Sequence, residues 1–250
     1  MSSYTRYTHY MDIADIDASM HLRLPDLLNY ILHASAQGED ELGTDVDMMR
    51  RAYNAGWVLM RVTMQMDDLP QYQDTLVIHT WPTNVAHNMV FRAYEMYTER
   101  AGESRLIGVA TGIWTLIDLQ TREISTLPFA DRYIWSAHHG EQTFSLSRLP
   151  MPERIEKPTF TLTHHIHYTD LDLNNHCNSA KYLQFMLNTC DMLAGIAPVQ
   201  IDVRYAHELG KDDVVTVEAE TDADKVNYLL RTADGRLCCS AVIRTQTDNK

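Results

Sequence analysis

Lysine is missing from residues 1–150, which hold eleven arginines, and over the 250-residue chain acids outnumber bases 34 to 21, for a formal net charge of −13. So acidic a surface argues against nucleic acid as a partner, because phosphate binding needs a basic face. An acidic protein partner would also be repelled at long range and would need a local basic patch, for which Arg50, Arg51 and Arg61 are candidates. No apolar run reaches transmembrane length, so no membrane-spanning helix is expected. The polar opening MSSYTRYTHYMDIADID lacks the apolar core of a secretory signal. Cysteine is scarce: Cys177, Cys190, Cys238 and Cys239, with no CxxC. Neighbours on a strand point to opposite faces, so Cys238 and Cys239 are poorly placed to pair. Reduced, buried thiols in a cytoplasmic protein are expected. A Gly-rich phosphate loop and a G-x-S-x-G elbow are both lacking, which argues against NTPase and α/β-hydrolase chemistry.

What is present repeats. Residues 4–14 alternate like a strand. Leu24, Leu27, Leu28, Ile31 and Leu32 then fall at helical spacing, with Pro25 in a permitted first-turn position and Gly43 as a stop. Strand-like runs follow at 57–69, 74–81, 89–97 and 106–118, the last two forming a hairpin about TERAG. Residues 129–157 are mixed, polar and punctuated by prolines, and read as an ordered linker. The order then recurs: a strand near 158–168, a helix from about Ser179 to Leu193, and strands with turns at GKDD and ADG. The halves also align weakly, YMDIADIDASMHLRLPDLLNYIL over YTDLDLNNHCNSAKYLQFML. An internal duplication is expected, with units at 1–128 and 158–250 joined by 129–157.

The densest polar run is DLDLNNHCNSAKY, residues 170–182. Asp170 to Asn178 hold two carboxylates, three carboxamides and a histidine immediately before a helix. Such groups are costly to bury without partners. A capped turn would explain Asp and Asn alone. Alternation in an extended loop, however, puts Asp172, Asn174 and His176 on one side: an acid or base, a neutral donor–acceptor and a group that titrates near neutrality. The first half lacks that Asn/His pattern, so one half is expected to carry chemistry and the other volume.

The run resembles the DxNxHxNNxKY loop of the acyl–acyl-carrier-protein (acyl-ACP) thioesterases, the plant FatA/FatB type and its bacterial relatives. W-x-L-x-R at 57–61, DTLVIHTW, and GIWTLIDLQTREISTLP at 112–128 resemble the same family, so the likeness spans nearly the whole chain. It implies an α+β tandem hotdog, two long helices each wrapped by a curved antiparallel sheet. It implies hydrolysis of fatty acyl-ACP thioesters in fatty acid biosynthesis, with the phosphopantetheine-linked carrier as partner. By motif, catalytic roles fall on Asp172, Asn174, His176 and, in YAHELGKDD, Glu208. Leu209 stands where the plant enzymes have a cysteine, so a Cys–His–Asn scheme finds no nucleophile there, and Cys177 reads as a packed bystander.

Two carboxylates allow two routes: attack by Asp172 with Glu208 activating a resolving water, or a carboxylate acting as general base on water directly. His176, Asn174 and the helix N-terminus near Ser179 would orient these groups or hold the oxyanion. The acyl chain is expected in the first half, lined by Met60, Met64, Met66, Met89 and Met96. Asn178 is a candidate helix cap and Lys181 a surface charge. His164, His165 and His167 have no Cys or carboxylate at ligand spacing, and neither metal nor cofactor is expected. His138 and His139 are read as solvated. An acyl-CoA thioesterase, a non-catalytic acyl-thioester-binding protein and a hydratase are the rival readings, and monomer and homodimer both stay open.

Overall fold

The computed structural model describes residues 4–139, 142–190, 196–197 and 199–245. The first half runs β1 (Thr5–Tyr10), α1 (Leu24–Leu42), α2 (Val46–Tyr53), β2 (Ala55–Met66), β3 (Thr75–Ala86), β4 (Met89–Arg100) and β5 (Glu103–Asp118). The second runs α3 (Ala130–His139), β6 (Phe160–His165), α4 (Ser179–Thr189), β7 (Val199–Tyr205), β8 (Val214–Asp222), β9 (Lys225–Thr232) and β10 (Leu237–Thr245). Among the described residues the strands form one antiparallel sheet in the order β1-β3-β4-β5-β2-β7-β10-β9-β8-β6. Reading outward from the β2–β7 seam, each half repeats the same order, and each half's helix lies between its first two strands. The duplication seen in sequence is thus a duplication of topology, the tandem hotdog.

Local chemistry accounts for these elements. The α1 stripe buries Leu24, Leu27, Leu28 and Ile31, Pro25 sits in the first turn, and Gly43 closes the helix in the left-handed region at φ 66°. Asn178 caps α4, its Oδ1 accepting from the Ala180 N–H at 2.8 Å. The seam carries a bidentate pair. Arg61 Nε and Nη2 donate to Asp202 Oδ1 and Oδ2 at 2.8 and 2.7 Å, and the Leu149 N–H donates to Oδ2 at 2.9 Å. One buried carboxylate therefore ties β2, β7 and the inter-half segment together.

Three expectations about elements change. Residues 129–157 begin with a helix, α3, whose buried Tyr133 packs edge-on to Trp57 at 5.8 Å. The mixed polarity that reads as linker is that of a short amphipathic helix laid on the first half. Residues 46–53 form a second helix where no element is expected, capped by Asp45 Oδ1 accepting from the Met48 N–H. Helix α4 ends at Thr189, and the expected extension over 191–193 lies outside the described residues. His138 and His139 are not among the side chains described.

Candidate active site

The loop between β6 and α4 is built on an aspartate. Asp172 Oδ1 accepts from the backbone N–H of Asn174 at 2.8 Å and of His176 at 3.2 Å. The Asp172 N–H donates to the His176 carbonyl at 2.7 Å, and Asn175 turns the chain at φ 63°. The Cys177 N–H then reaches the Leu209 carbonyl at 2.7 Å, which lashes the loop to the segment after β7 and brings Glu208 beside it.

The first half contains the same loop. Asp17 Oδ1 accepts from Ser19 N–H at 2.8 Å and His21 N–H at 3.4 Å, and the Asp17 N–H donates to the His21 carbonyl at 2.9 Å. Met20 has φ 66°, and the Leu22 N–H reaches the Pro70 carbonyl at 2.8 Å. Asp17, Ser19 and His21 therefore match Asp172, Asn174 and His176, while Leu69 stands where the second half has Glu208. This corrects the reading that the first half lacks the pattern: its aspartate and histidine are there, and what it lacks is the carboxamide and the second acid. An Asp at this place is required by the loop itself.

Side chains complete the second-half site. Arg50, on α2, donates through Nη1 to Asn174 Oδ1 at 2.5 Å. This fixes the carboxamide with its Nδ2 directed away from Arg50, a donor without a hydrogen-bond partner among the described residues. Arg122 pairs with Glu208 Oε2 and lies 3.4 Å from His176 Nδ1, and Glu208 Oε2 is 3.7 Å from the same nitrogen. With Nδ1 accepting from Arg122, the neutral ring carries its proton on Nε2. Sequence reading missed Arg122 and the orienting role of Arg50, since nothing local marks a residue whose partner is over fifty positions away.

Asp172, Asn174, His176 and Glu208 all border one cavity of about 320 Å3. It runs under α1, past Leu32, Ala36 and Glu39, and across the sheet through Leu59, Met60 and Trp114 to Val90 and Arg92. Both halves line it. Of the five methionines expected there only Met60 is on its wall; Met64, Met66 and Met96 are fully buried in the core, and Met49 of α2 lines the cavity instead. The inward side of a strand and the wall of a slot follow the same alternation, so spacing alone does not separate core from cavity wall.

Cys177 is buried at the cavity's edge, and burial pushes its thiol well above the ordinary range, so it is protonated at neutral pH. Leu209, next to Glu208, is fully buried. Arg61, a candidate for a docking patch, is consumed by Asp202, whereas Arg51 is exposed on α2 next to Arg50 and, among the described residues, is paired with Asp47 alone at 2.8 Å. Lys181 is less free than expected, 3.6 Å from Asp170 and 3.1 Å from Gln184. His164 stacks on Phe185 at 4.6 Å, and among the described residues no cluster of His, Cys, Asp and Glu is arranged to hold a metal ion.

Residues 3–130 match the acyl-ACP thioesterase N-terminal domain and residues 153–247 the acyl-ACP thioesterase C-terminal domain. The chain is 26% identical to the chloroplastic palmitoyl-acyl carrier protein thioesterase of Arabidopsis thaliana, over 94% of this chain and 59% of that protein. It is 24% identical to the Gossypium hirsutum protein of the same name, over 89% and 57%. It spans a little over half the length of these relatives. An acyl-ACP thioesterase from Bacteroides thetaiotaomicron superposes with a TM-score of 0.82 at 19% identity, covering 98% of this chain and 99% of that one. The 12:0-ACP thioesterase of Umbellularia californica gives 0.82 at 17% identity, covering 98% and 97%. At these identities the superpositions speak for the fold.

Proposed function

Because the chain belongs to the acyl-ACP thioesterase family, we propose that it hydrolyses fatty acyl thioesters of acyl carrier protein to free acid and carrier thiol. The observation that carries this reading is the convergence of Asp172, Asn174, His176 and Glu208 on one cavity. The duplicated loop adds support, since Asn174 and Glu208 are the two groups the folding frame does not demand.

The roles follow from donors and charges. The thioester carbonyl needs hydrogen-bond donors where its oxygen becomes negative, and Asn174 Nδ2, His176 Nε2 and the N-terminus of α4 supply that chemistry. Arg50 fixes the first of these and Arg122 the second. Asp172 and Glu208 are the carboxylates available for attack or for activating water. In the covalent route an Asp172 oxygen bonds to the acyl carbon as the thiolate leaves. Water deprotonated toward Glu208 then cleaves the anhydride and restores Asp172. In the direct route water gives its proton to a carboxylate and attacks the acyl carbon itself, the C–S bond breaks, and the departing thiolate takes that proton back as the carrier thiol. Quenching turnover with hydroxylamine and weighing the protein separates them, since only the covalent route leaves a modified Asp172.

The carrier preference rests on the family and on Arg50 and Arg51 at the site's edge, where an acidic carrier would meet positive charge despite the chain's overall sign. A fatty acid synthetic setting, in the cytoplasm, completes the reading, and the four free cysteines support a reducing compartment. The deciding experiment is a hydrolysis panel with matched acyl-ACP and acyl-CoA substrates, scored as free acid. Faster turnover of acyl-ACP supports the proposal. Preference for CoA assigns the rival thioesterase, and binding without release of acid would make the chain an acyl-thioester-binding protein.

A further inference from the structure

The far wall of the cavity is charged. Arg92 of β4 is 2% exposed, yet it borders the cavity, as does Glu39 of α1. Arg92 Nη2 donates to Glu39 Oε1 at 3.1 Å, while the buried Nη1 has no hydrogen-bond partner among the described residues. Glu39 Oε2 accepts from Tyr133 at 2.6 Å and Thr44 at 2.7 Å, so the acid is fully engaged. The guanidinium also has a prepared seat. A methyl on Gly38 would lie 2.5 Å from Arg92 Nη2 and 2.8 Å from Nη1. Glycine inside a helix is less favourable than alanine, and here it leaves room for that head group. Asn174 Oδ1 lies over Gly56 of β2, two strands from Arg92 in the order β2-β5-β4, and the register on β5, Ile117 opposite Gly56 and Gly112 opposite Arg92, separates them by five more positions along the sheet, about 10 Å across and about 17 Å along at ordinary strand spacing.

We propose, on the thioesterase reading, that the buried Arg92–Glu39 pair is the stop that sets the longest acyl chain the slot accepts. Up to that wall each methylene leaves water for an apolar lining and binds more tightly. A methyl group pressed on the guanidinium excludes water from a cation whose Nη1 it has no oxygen to satisfy, so a chain one step too long loses affinity.

The test reads binding, so it stands apart from catalysis. Saturated acyl chains in stable thioether linkage to pantetheine, graded by length, are titrated against the full chain by calorimetry. Affinity is expected to rise with length and then break. In the Glu39→Leu/Arg92→Met double variant, where both charges go together and neither is left unpaired, the break moves to longer chains while short chains bind within about twofold of wild type. An unmoved break overturns the proposal. A second measurement needs no variant. At the break length an ω-hydroxyl analogue, which offers Nη1 an acceptor, is expected to bind wild type about tenfold tighter than its methyl counterpart. Weaker binding of the hydroxyl analogue at every length overturns the proposal even if the double variant fails to fold. Loss of hydrolysis with an intact length break would instead count against the thioesterase reading alone.

Discussion

Asp17 and Asp172 occupy the same position in two copies of one loop, each closing it by accepting two backbone N–H groups on Oδ1. Only Asp172 is followed by a carboxamide and faced by a second acid. The two functions of an aspartate, shape and charge, are therefore separable. Asp172→Asn retains a side-chain carbonyl to accept both N–H bonds, so thermal stability should stay near wild type while kcat falls at least about 100-fold. Asp172→Ala should lose the activity and, in addition, about 1–2 kcal/mol from the opened loop. Asp17→Ala should lose a similar stability and keep its kcat. Melting curves and kcat on the three variants check the pattern, and near-wild-type turnover of Asp172→Asn would remove Asp172 from the chemistry.

Arg50 reaches Asn174 from a helix 124 positions away. Asn174→Ser, which installs the first-half residue, removes the donor and should lower kcat by about 10²–10³. Arg50→Met leaves Asn174 in place but free to turn, and a drop in kcat of about tenfold with KM little changed is expected. Arg51→Glu should spare kcat and acyl-CoA turnover and raise KM for acyl-ACP alone. If Arg50→Met raised KM equally and spared kcat, its part would be docking and the orienting role would fall.

The strands, α1 and the polar loop were legible because their periods and turn residues are local. Leu24, Leu27, Leu28 and Ile31 state a helix face by themselves, and DLDLNNH states its polarity. What stayed hidden depends on partners distant in sequence. Residues 46–53 are a short polar helix that packs Met49 on Ala55 and Leu116 of its own half, and only its Arg50 has its partner, Asn174, in the other half. Tyr133 makes a linker into a packed helix because Glu39 awaits it. Asp17–His21 looked unlike Asp172–His176 because Ser19 replaces an asparagine, although the hydrogen bonds that shape the loop run through backbone atoms any residue provides.

Cys177, Cys238 and Cys239 are buried, and burial raises all three thiols above the ordinary value of 9.0. A raised pKa in the folded state means that the unfolded chain releases these protons first. Their contribution is therefore complete below pH 9.0 and is lost as pH rises beyond it. Urea midpoints should fall above that pH, and Cys177→Ala should flatten part of the fall. At neutral pH iodoacetamide should leave activity intact, and Cys177→Ala should turn over within about threefold of wild type. Rapid inactivation by the reagent, prevented by Cys177→Ala, would restore a thiol to the mechanism.

The seam between halves offers the strongest single stability effect. Asp202 is fully buried, holds Arg61 in two bonds and takes the Leu149 N–H as a third. Asp202→Ala leaves a largely buried guanidinium without its counter-charge and a backbone donor without an acceptor, a loss of about 3–5 kcal/mol. Replacing both partners, Asp202→Leu with Arg61→Met, removes the unpaired charge and should recover most of that loss. Chemical denaturation of the two variants measures the difference. The double variant should melt as one cooperative unit, because β2 and β7 still pair through their backbones from Arg61–Arg204 to Met66–Val199. Two separate transitions would instead show that the ion pair, and not the shared sheet, couples the halves.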